Sequence, residues 1–230
     1  MEKGEKLKYR HEWKHEINHG DLLVLRQRLS AVTKRDTHTL DGKYEIRSLY
    51  FDTPTDRVLR EKIDGVNIRE KFRLRYYNGD PTFIRLEKKS RRNGICLKES
   101  APLTRGQVQR LTTERNYSWM PGSGAPLVEE LYSKMLSQGL RPQTIVDYTR
   151  EPFVFAPGNV RITLDYHIRT GMRNTDFLNP ASVTIPVRDD LIILEVKWDE
   201  YLPDLIRDVV QLKNRAAGAF SKYAASRIYG

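Results

Sequence analysis

The sequence predicts an α+β fold in which a mainly antiparallel β-structure carries flanking helices. Three observations predict it: eight stretches alternate apolar with charged residues, five stretches show helical periodicity with start and stop residues, and tight-turn signals join neighbouring strands.

The first strand covers 9–17, with Arg10, Glu12, Lys14 and Glu16 alternating against His11, Trp13, His15 and Ile17. A helix follows over 21–34, where Leu22, Leu25, Leu29 and Val32 share one stripe. Residues 44–51 form the second strand. Asp52 and Thr53 then precede Pro54, which opens a short helix ending before Gly65. The third strand, 68–77, sets Arg69, Lys71, Arg73 and Arg75 against Ile68, Phe72, Leu74 and Tyr76. The turn Asn78-Gly79-Asp80-Pro81 leads into the fourth, 82–89, with Arg85, Glu87 and Lys89 against Ile84 and Leu86. Asn93-Gly94 makes a hairpin into 94–98. Thr104 caps a helix at 105–115, and another over 126–138 is closed by Gly139 and Arg141-Pro142. Strands at 145–154 and 160–168 come next, the latter with Arg161, Thr163, Asp165 and His167 on one face. The last strand, 191–198, sets Glu195 and Lys197 against Ile192, Leu194, Val196 and Trp198, and Pro203 opens a final helix to about Ala217.

A length of 230 residues fits one domain, taken here as 1–230. Cys96 is the only cysteine, which excludes a disulfide framework and a cysteine-based zinc site. No apolar run approaches the ~18 residues of a membrane span, and the N-terminus has no signal-peptide core. The expectation is a soluble, cytoplasmic protein. Its formal net charge is +10, and residues 69–98 alone hold ten basic and three acidic residues. Charge concentrated in this way points to a polyanionic partner: nucleic acid, an anionic membrane or a phosphorylated small molecule.

The polar strand faces are unusually rich in full charges. Long basic side chains in a row repel one another unless anions or carboxylates lie between them. Two arrangements satisfy the pattern. One is an ordinary sheet whose solvent face is covered in salt bridges. The other is a closed eight-stranded antiparallel barrel, apolar faces outward toward the helices, with a charged lumen wide enough for one linear polyanion.

Eight segments resemble a known family, in its order: Arg10-His-Glu-Trp-Lys14, Ile46-Arg-Ser-Leu-Tyr-Phe-Asp-Thr53, Lys71-Phe-Arg-Leu-Arg-Tyr76, Leu86-Glu-Lys-Lys89 with Gly94 and Lys98, Val146-Asp-Tyr-Thr-Arg150, Arg161-Ile-Thr-Leu-Asp165, Ile193-Leu-Glu-Val-Lys197 and Ser221-Lys-Tyr223. The family is the vacuolar transporter chaperone domain, the polyphosphate polymerase branch of the triphosphate tunnel metalloenzymes, and the resemblance runs from about Tyr9 to Tyr223. It implies an eight-stranded antiparallel β-barrel (triphosphate tunnel) flanked by helices. Its basic lining falls on Lys14, Arg73, Arg75, Lys89, Lys98, Arg150, Arg161 and Lys197, with Ser221 and Lys222 as a late substrate-binding pair. Lys71, on the same face as Arg73, joins the substrate-binding set. The metal-holding glutamate falls on Glu195, with Glu12, Glu87 and Asp165 as further carboxylates. Three departures stand out. Arg10 replaces the first carboxylate of a Glu-x-Glu-x-Lys pattern, Ala219 stands where eukaryotic polymerases have a basic residue, and their regulatory and membrane-spanning segments are absent from these residues.

The implied activity is ATP:polyphosphate phosphotransfer with Mg²⁺ or Mn²⁺, on ATP and inorganic polyphosphate or pyrophosphate. Guanidinium forks suit the equatorial oxygens of a transferring phosphoryl group, and lysines suit the chain of phosphates. The alternatives are a tripolyphosphatase or nucleoside triphosphatase, with Glu12 or Glu87 positioning water, and a non-catalytic polyphosphate- or nucleotide-binding module. Nucleic acid is not favoured, because no recognition motif accompanies the charge. The eukaryotic relatives are membrane-coupled, which leaves a membrane partner open, and oligomeric state is not encoded. Blander readings apply elsewhere. His11 and His15 are expected to be buried and hydrogen-bonded, Trp13 and Trp198 to pack on outer helices, Arg91 and Arg92 to be loop charges, and Tyr50 and Phe51 to be core. Ser221 either bonds phosphate or caps the chain's last turn.

Overall fold

A computed structural model describes residues 10–92, 95–212, 218 and 220–228. The elements in chain order are β1 (His11–Ile17), α1 (His19–Val32), β2 (Lys34–Arg35), β3 (Tyr44–Asp52), α2 (Arg57–Ile63), β4 (Arg69–Tyr77), β5 (Asp80–Arg92), β6 (Ile95–Leu103), α3 (Arg105–Gln109), α4 (Pro126–Gln138), β7 (Arg141–Phe155), β8 (Val160–Thr170), β9 (Ile185–Pro186), β10 (Ile192–Trp198), α5 (Asp204–Val210) and α6 (Lys222–Ile228). Eight strands make one curled antiparallel sheet in the order β1-β10-β8-β7-β3-β4-β5-β6, with β2 added to β7 and β9 to β8. All eight predicted strands are present.

The sheet forms a half-barrel, and its two faces are chemically opposite. Outside, Leu49, Phe72, Leu74 and Leu86 pack under α3 and α4, while Leu164, Leu194 and Val196 pack under α1 and α5. Helix α1 starts where Asn18 and Asp21 form a reciprocal capping box, and it buries Leu22, Leu25 and Leu29. Removing a fully buried leucine such as Leu25 costs about 2–5 kcal/mol. The inner face carries the charged side chains of each strand. Across the open side of the half-barrel Lys89 on β5 reaches Glu12 on the edge strand β1 at 3.2 Å, and the Gly218 N–H donates to the Lys14 carbonyl of β1 at 2.8 Å.

The short strands β2 and β9 and the helix α6 were not predicted. Helix α6 lies against the inner face at one end of the half-barrel, where Tyr223 and Ala225 join Tyr50, Val146 and Ile193 in an apolar cluster. The buried Asp52 carboxylate ties it down, accepting from the Tyr223 hydroxyl (2.5 Å) and from the Val58 and Leu59 amides that start α2 (2.8 and 3.1 Å). Ser221 caps this helix: its Oγ accepts from the Ala224 N–H at 3.4 Å and its carbonyl from the Ala225 N–H at 2.9 Å.

Other expectations need correcting. Helix α2 begins at Arg57, after a turn containing Pro54, because Asp52 gathers the amides that follow that turn. The helix predicted over 105–115 changes at Arg110 into a single π turn, Arg110–Glu114. β5 extends to Arg92, so Arg91 and Arg92 stand on a strand and not in a loop. His11 is exposed and stacks on Trp198 at 5.4 Å, and Trp13 is 37% exposed, edge-on to Trp198. His15 is half-buried, and its Nδ1 has no hydrogen-bond partner. His167 does not share the face of Asp165 and Arg161, because the β7–β8 register shifts between Asp147 and Thr149 and His167 takes φ 50°, which leaves it exposed. The helix expected to run to about Ala217 ends at Val210, where Gln211 turns extended, and residues 213–217, Asn93-Gly94 and Ala219 lie outside the described residues.

Candidate active site

The inner face encloses a cavity of about 430 Å³. The structure brings Lys14, Lys71, Arg73, Arg75, Lys89, Lys98, Arg150, Arg161, Lys197, Ser221, Lys222, Glu12, Glu87 and Glu195 to its wall. Asp165 lies just beneath, fully buried. Twelve lining residues are Lys or Arg and three are Glu, so the cavity is strongly cationic. Antiparallel register is what gathers residues so distant in sequence, since cross-strand partners point the same way and alternate positions share a face.

Register also divides the cavity into two unlike halves. On β1, β10, β8 and β7 most charges face an opposite one, Glu12 opposite Lys197, Lys14 opposite Glu195 and Arg150 opposite Asp165, while Lys197 faces Arg161 across β10 and β8. On β4, β5 and β6 like charges face one another: Lys71 opposite Lys89, Lys89 opposite Lys98, and Arg75 opposite Arg85. Directly opposed like charges destabilise a sheet. Only Arg73 opposite Glu87 interrupts that run. In this half Lys89 is met across the open side by Glu12 and Lys98 diagonally by Glu87, whereas Lys71 has no carboxylate partner among the described residues.

The carboxylates are tightly held. Asp165 accepts two bonds from Arg150, both 2.6 Å, and one from Lys222 at 2.5 Å. Glu87 accepts from Arg73 at 2.7 Å and lies 2.6 Å from Lys98 and 3.8 Å from Arg75. Glu12 and Glu195 share Lys14, at 2.6 and 3.2 Å, and Lys197, at 3.5 and 3.2 Å. Burial pushes all four carboxyls upward, yet the surrounding cations win and hold each below its ordinary range, Glu87 and Glu195 far below. Arg161 hydrogen-bonds the Tyr44 hydroxyl and pairs with Asp36 at 2.9 Å.

The cations respond to the same two forces. Lys14 is buried, which opposes its charge, but Glu195 and Glu12 raise it above the usual lysine value. For Lys197 burial outweighs the same two carboxylates and lowers it to about 8. Lys71 has no carboxylate partner among the described residues; burial, with Lys89 and Arg73 nearby, pulls it to about 7 against the opposing pull of Tyr50. Tyr50 is buried, which raises its hydroxyl, but Arg73 and Lys71 bring it down to about 7.

The tyrosines are what the sequence reasoning missed. Tyr50 is core, as expected, but its hydroxyl also accepts from Arg73 at 3.0 Å, and Tyr148 accepts from Arg75 at 2.9 Å. Lys222 sits 4.7 Å above the Tyr148 ring. A signal existed: Tyr44, Ser48 and Tyr50 share one β3 parity, and Tyr148 is two residues from Arg150, so they fall on the charged face.

Comparison with known proteins follows from this geometry. The VTC domain family model matches residues 9–228. The chain belongs to the VTC domain family. Among solved structures it is similar to HpAC1 of Hippeastrum, described as a candidate adenylyl cyclase with a dominant triphosphatase activity, at 15% identity and a TM-score of 0.55, over 96% of this chain and 95% of that one. It is also similar to a candidate adenylate cyclase of Bacillus halodurans, at 11% identity and a TM-score of 0.49, over 83% and 80% of the two chains. No curated protein matches the sequence. The curled sheet is thus the triphosphate tunnel fold. A VTC domain with this cationic cavity supports a triphosphate- or polyphosphate-related function. Among the described residues no helix is long and apolar enough to cross a membrane.

Proposed function

We propose that this VTC domain is a metal-dependent polyphosphate polymerase, transferring the γ-phosphoryl group of ATP to the end of a growing polyphosphate. The observation that carries this reading is that every tunnel carboxylate is bound by two or more cations and held below its ordinary range. Each carboxylate is already taken up by its cationic partners, which leaves none free to accept from and orient an attacking water. Hydrolysis needs a base or orienting group for water. A terminal phosphate oxygen is already ionised and needs none.

In this reading Arg73, Arg75, Arg150 and Arg161 clamp the transferring phosphoryl group and its neighbours through paired N–H donors. Glu87 and Asp165 act behind them, fixing the guanidinium planes of Arg73 and Arg150. Lys71, Lys89 and Lys98 line the like-charged half and cradle the phosphate chain, while Lys14, Lys197 and Lys222 carry charge along the other wall. Ser221 caps α6 and so places Lys222. Glu195 and Glu12 converge on the same two lysines, a donor set that fits a hard divalent ion taking most of its ligands from phosphate and water. Mg²⁺ or Mn²⁺ held there by Glu195 and Glu12 would supply positive charge against the phosphates.

The test is incubation of the protein with ATP and Mn²⁺ or Mg²⁺, followed by gel separation of phosphate polymers. The expected product is acid-labile polyphosphate lengthening with time. Release of orthophosphate or pyrophosphate alone would instead select the triphosphatase reading, which the activity described for HpAC1 favours. Tight binding without turnover under either metal would select a binding module.

A further inference from the structure

A second cavity, of about 480 Å³, lies beside α6 and shares no lining residue with the tunnel. Four guanidinium groups line it: Arg115, Arg141, Arg173 and Arg227. The one carboxylate in its wall, Asp56, is engaged by Arg227 at 2.8 and 3.0 Å. Arg115, Arg141 and Arg173 have no side-chain hydrogen bond or ion pair among the described residues. The Nε of Arg227 is buried without a partner, on a side chain only 13% exposed. Arg115, Arg141 and Arg173 are exposed to solvent, and the wall brings them to one cavity with the buried Arg227.

The backbone around this cavity is unusual as well. Asp56, Arg115 and Met172, the last adjoining Arg173, take φ of 54°, 52° and 54°, a left-handed region that non-glycine residues rarely occupy. Arg115 directly follows the single π turn Arg110–Glu114, a feature that is frequent at functional positions. Such outliers support an inference of function when the surroundings already point to one.

We infer that this cavity is a second oxyanion site, for a small free anion carrying two or more phosphoryl groups. Guanidinium forks bind phosphate oxygens two at a time, so four of them around one cavity exceed what a single orthophosphate can engage. Gln143 and Thr175 add polar groups to the wall, whose apolar residues are Pro54, Leu111, Tyr117 and Pro142. This inference is independent of the polymerase reading.

Arginine modification by phenylglyoxal, read residue by residue by peptide mass spectrometry, separates the two sites in one experiment. The probe is tripolyphosphate, added to the intact protein without metal. Arg115 and Arg173 should be modified more slowly by a factor of one plus the ratio of ligand to Kd, about tenfold when ligand is about nine times Kd. Unchanged rates at both residues, with Arg73 and Arg150 protected, would overturn the second site and leave the tunnel standing. Protection of Arg115 and Arg173 alone would support the second site while removing the tunnel reading. Equal protection by sulfate at matched ionic strength would overturn selectivity for linked phosphates. Protection by a single-stranded oligonucleotide but not by tripolyphosphate would overturn the small-anion assignment.

Discussion

Arg73 and Lys71 stand two residues apart on β4, face the same cavity and carry the same formal charge, yet their removal should move stability in opposite directions. Arg73 is paired: it donates to Glu87 at 2.7 Å and to the Tyr50 hydroxyl at 3.0 Å, and Glu87 is 2% exposed. Removing one partner of a buried pair costs about 3–5 kcal/mol. Here Lys98 and Arg75 still face Glu87, so Arg73→Ala should lose about 1–3 kcal/mol. Relief of like-charge crowding along β4 does not outweigh this loss, because a register-matched carboxylate separates this arginine from its neighbours. Lys71 is unpaired. Its fall from the ordinary 10.5 to about 7 bounds the penalty at roughly 5 kcal/mol, at ~1.4 kcal/mol per pH unit. The ammonium is only half-buried by surface, so a realistic gain for Lys71→Met is about 1–2 kcal/mol.

The pH dependence has a definite sign. The folded value lies below the unfolded one, so the penalty is complete below about pH 7 and fades as pH rises toward 10.5. Lys71→Met should therefore gain most near neutral pH and lose its advantage by about pH 10. Urea unfolding midpoints at several pH values read this directly. A Lys71→Met protein that is destabilised at pH 7, or whose advantage grows with pH, would refute the distinction between paired and unpaired tunnel cations.

Further outcomes can be checked on the same protein. Arg73→Ala and Arg75→Ala should both abolish turnover and weaken tripolyphosphate binding, measured by product formation and calorimetry; activity that merely tracks the folded fraction would make them structural. Glu195→Gln should flatten the metal titration of activity while far-UV circular dichroism stays unchanged, whereas an unaltered titration would place the metal elsewhere. Asp165 and Glu87 have folded values below their unfolded ones, so their contribution is present above about pH 4 and is lost on acidification; stability should fall steeply below that point and much less so in Asp165→Asn. Binding of tripolyphosphate near pH 8 should draw protons onto Lys71 and Lys197, seen as a dependence of calorimetric heat on buffer ionisation enthalpy that shrinks in Lys71→Met.

Much of the fold was legible because alternation is a local property. β5 and β6 ran longer than expected because ladder pairing carried them past the alternating core, to Arg92 and Leu103. α6 was not foreseen as a helix. Its seven residues are too few for a periodic stripe, and it is held by distant partners, Asp52 and Asp165. His167 was misplaced because a bulge changes side-chain parity without any sign in composition.

What the sequence determined by itself is which side chains share a face: period 2 puts Arg73, Arg75, Glu87, Arg161, Asp165, Glu195 and Lys197 on charged faces whatever the sheet's curvature. What only the tertiary structure decided is which of those charges meet. Pairing between strands far apart in sequence set Arg150 against Asp165 but Lys71 against Lys89, and so gave one cation a bidentate carboxylate and left the other without a carboxylate partner among the described residues. Charge energy depends on distance, and distance between strands is fixed by register and curvature, which no single stretch of chain contains.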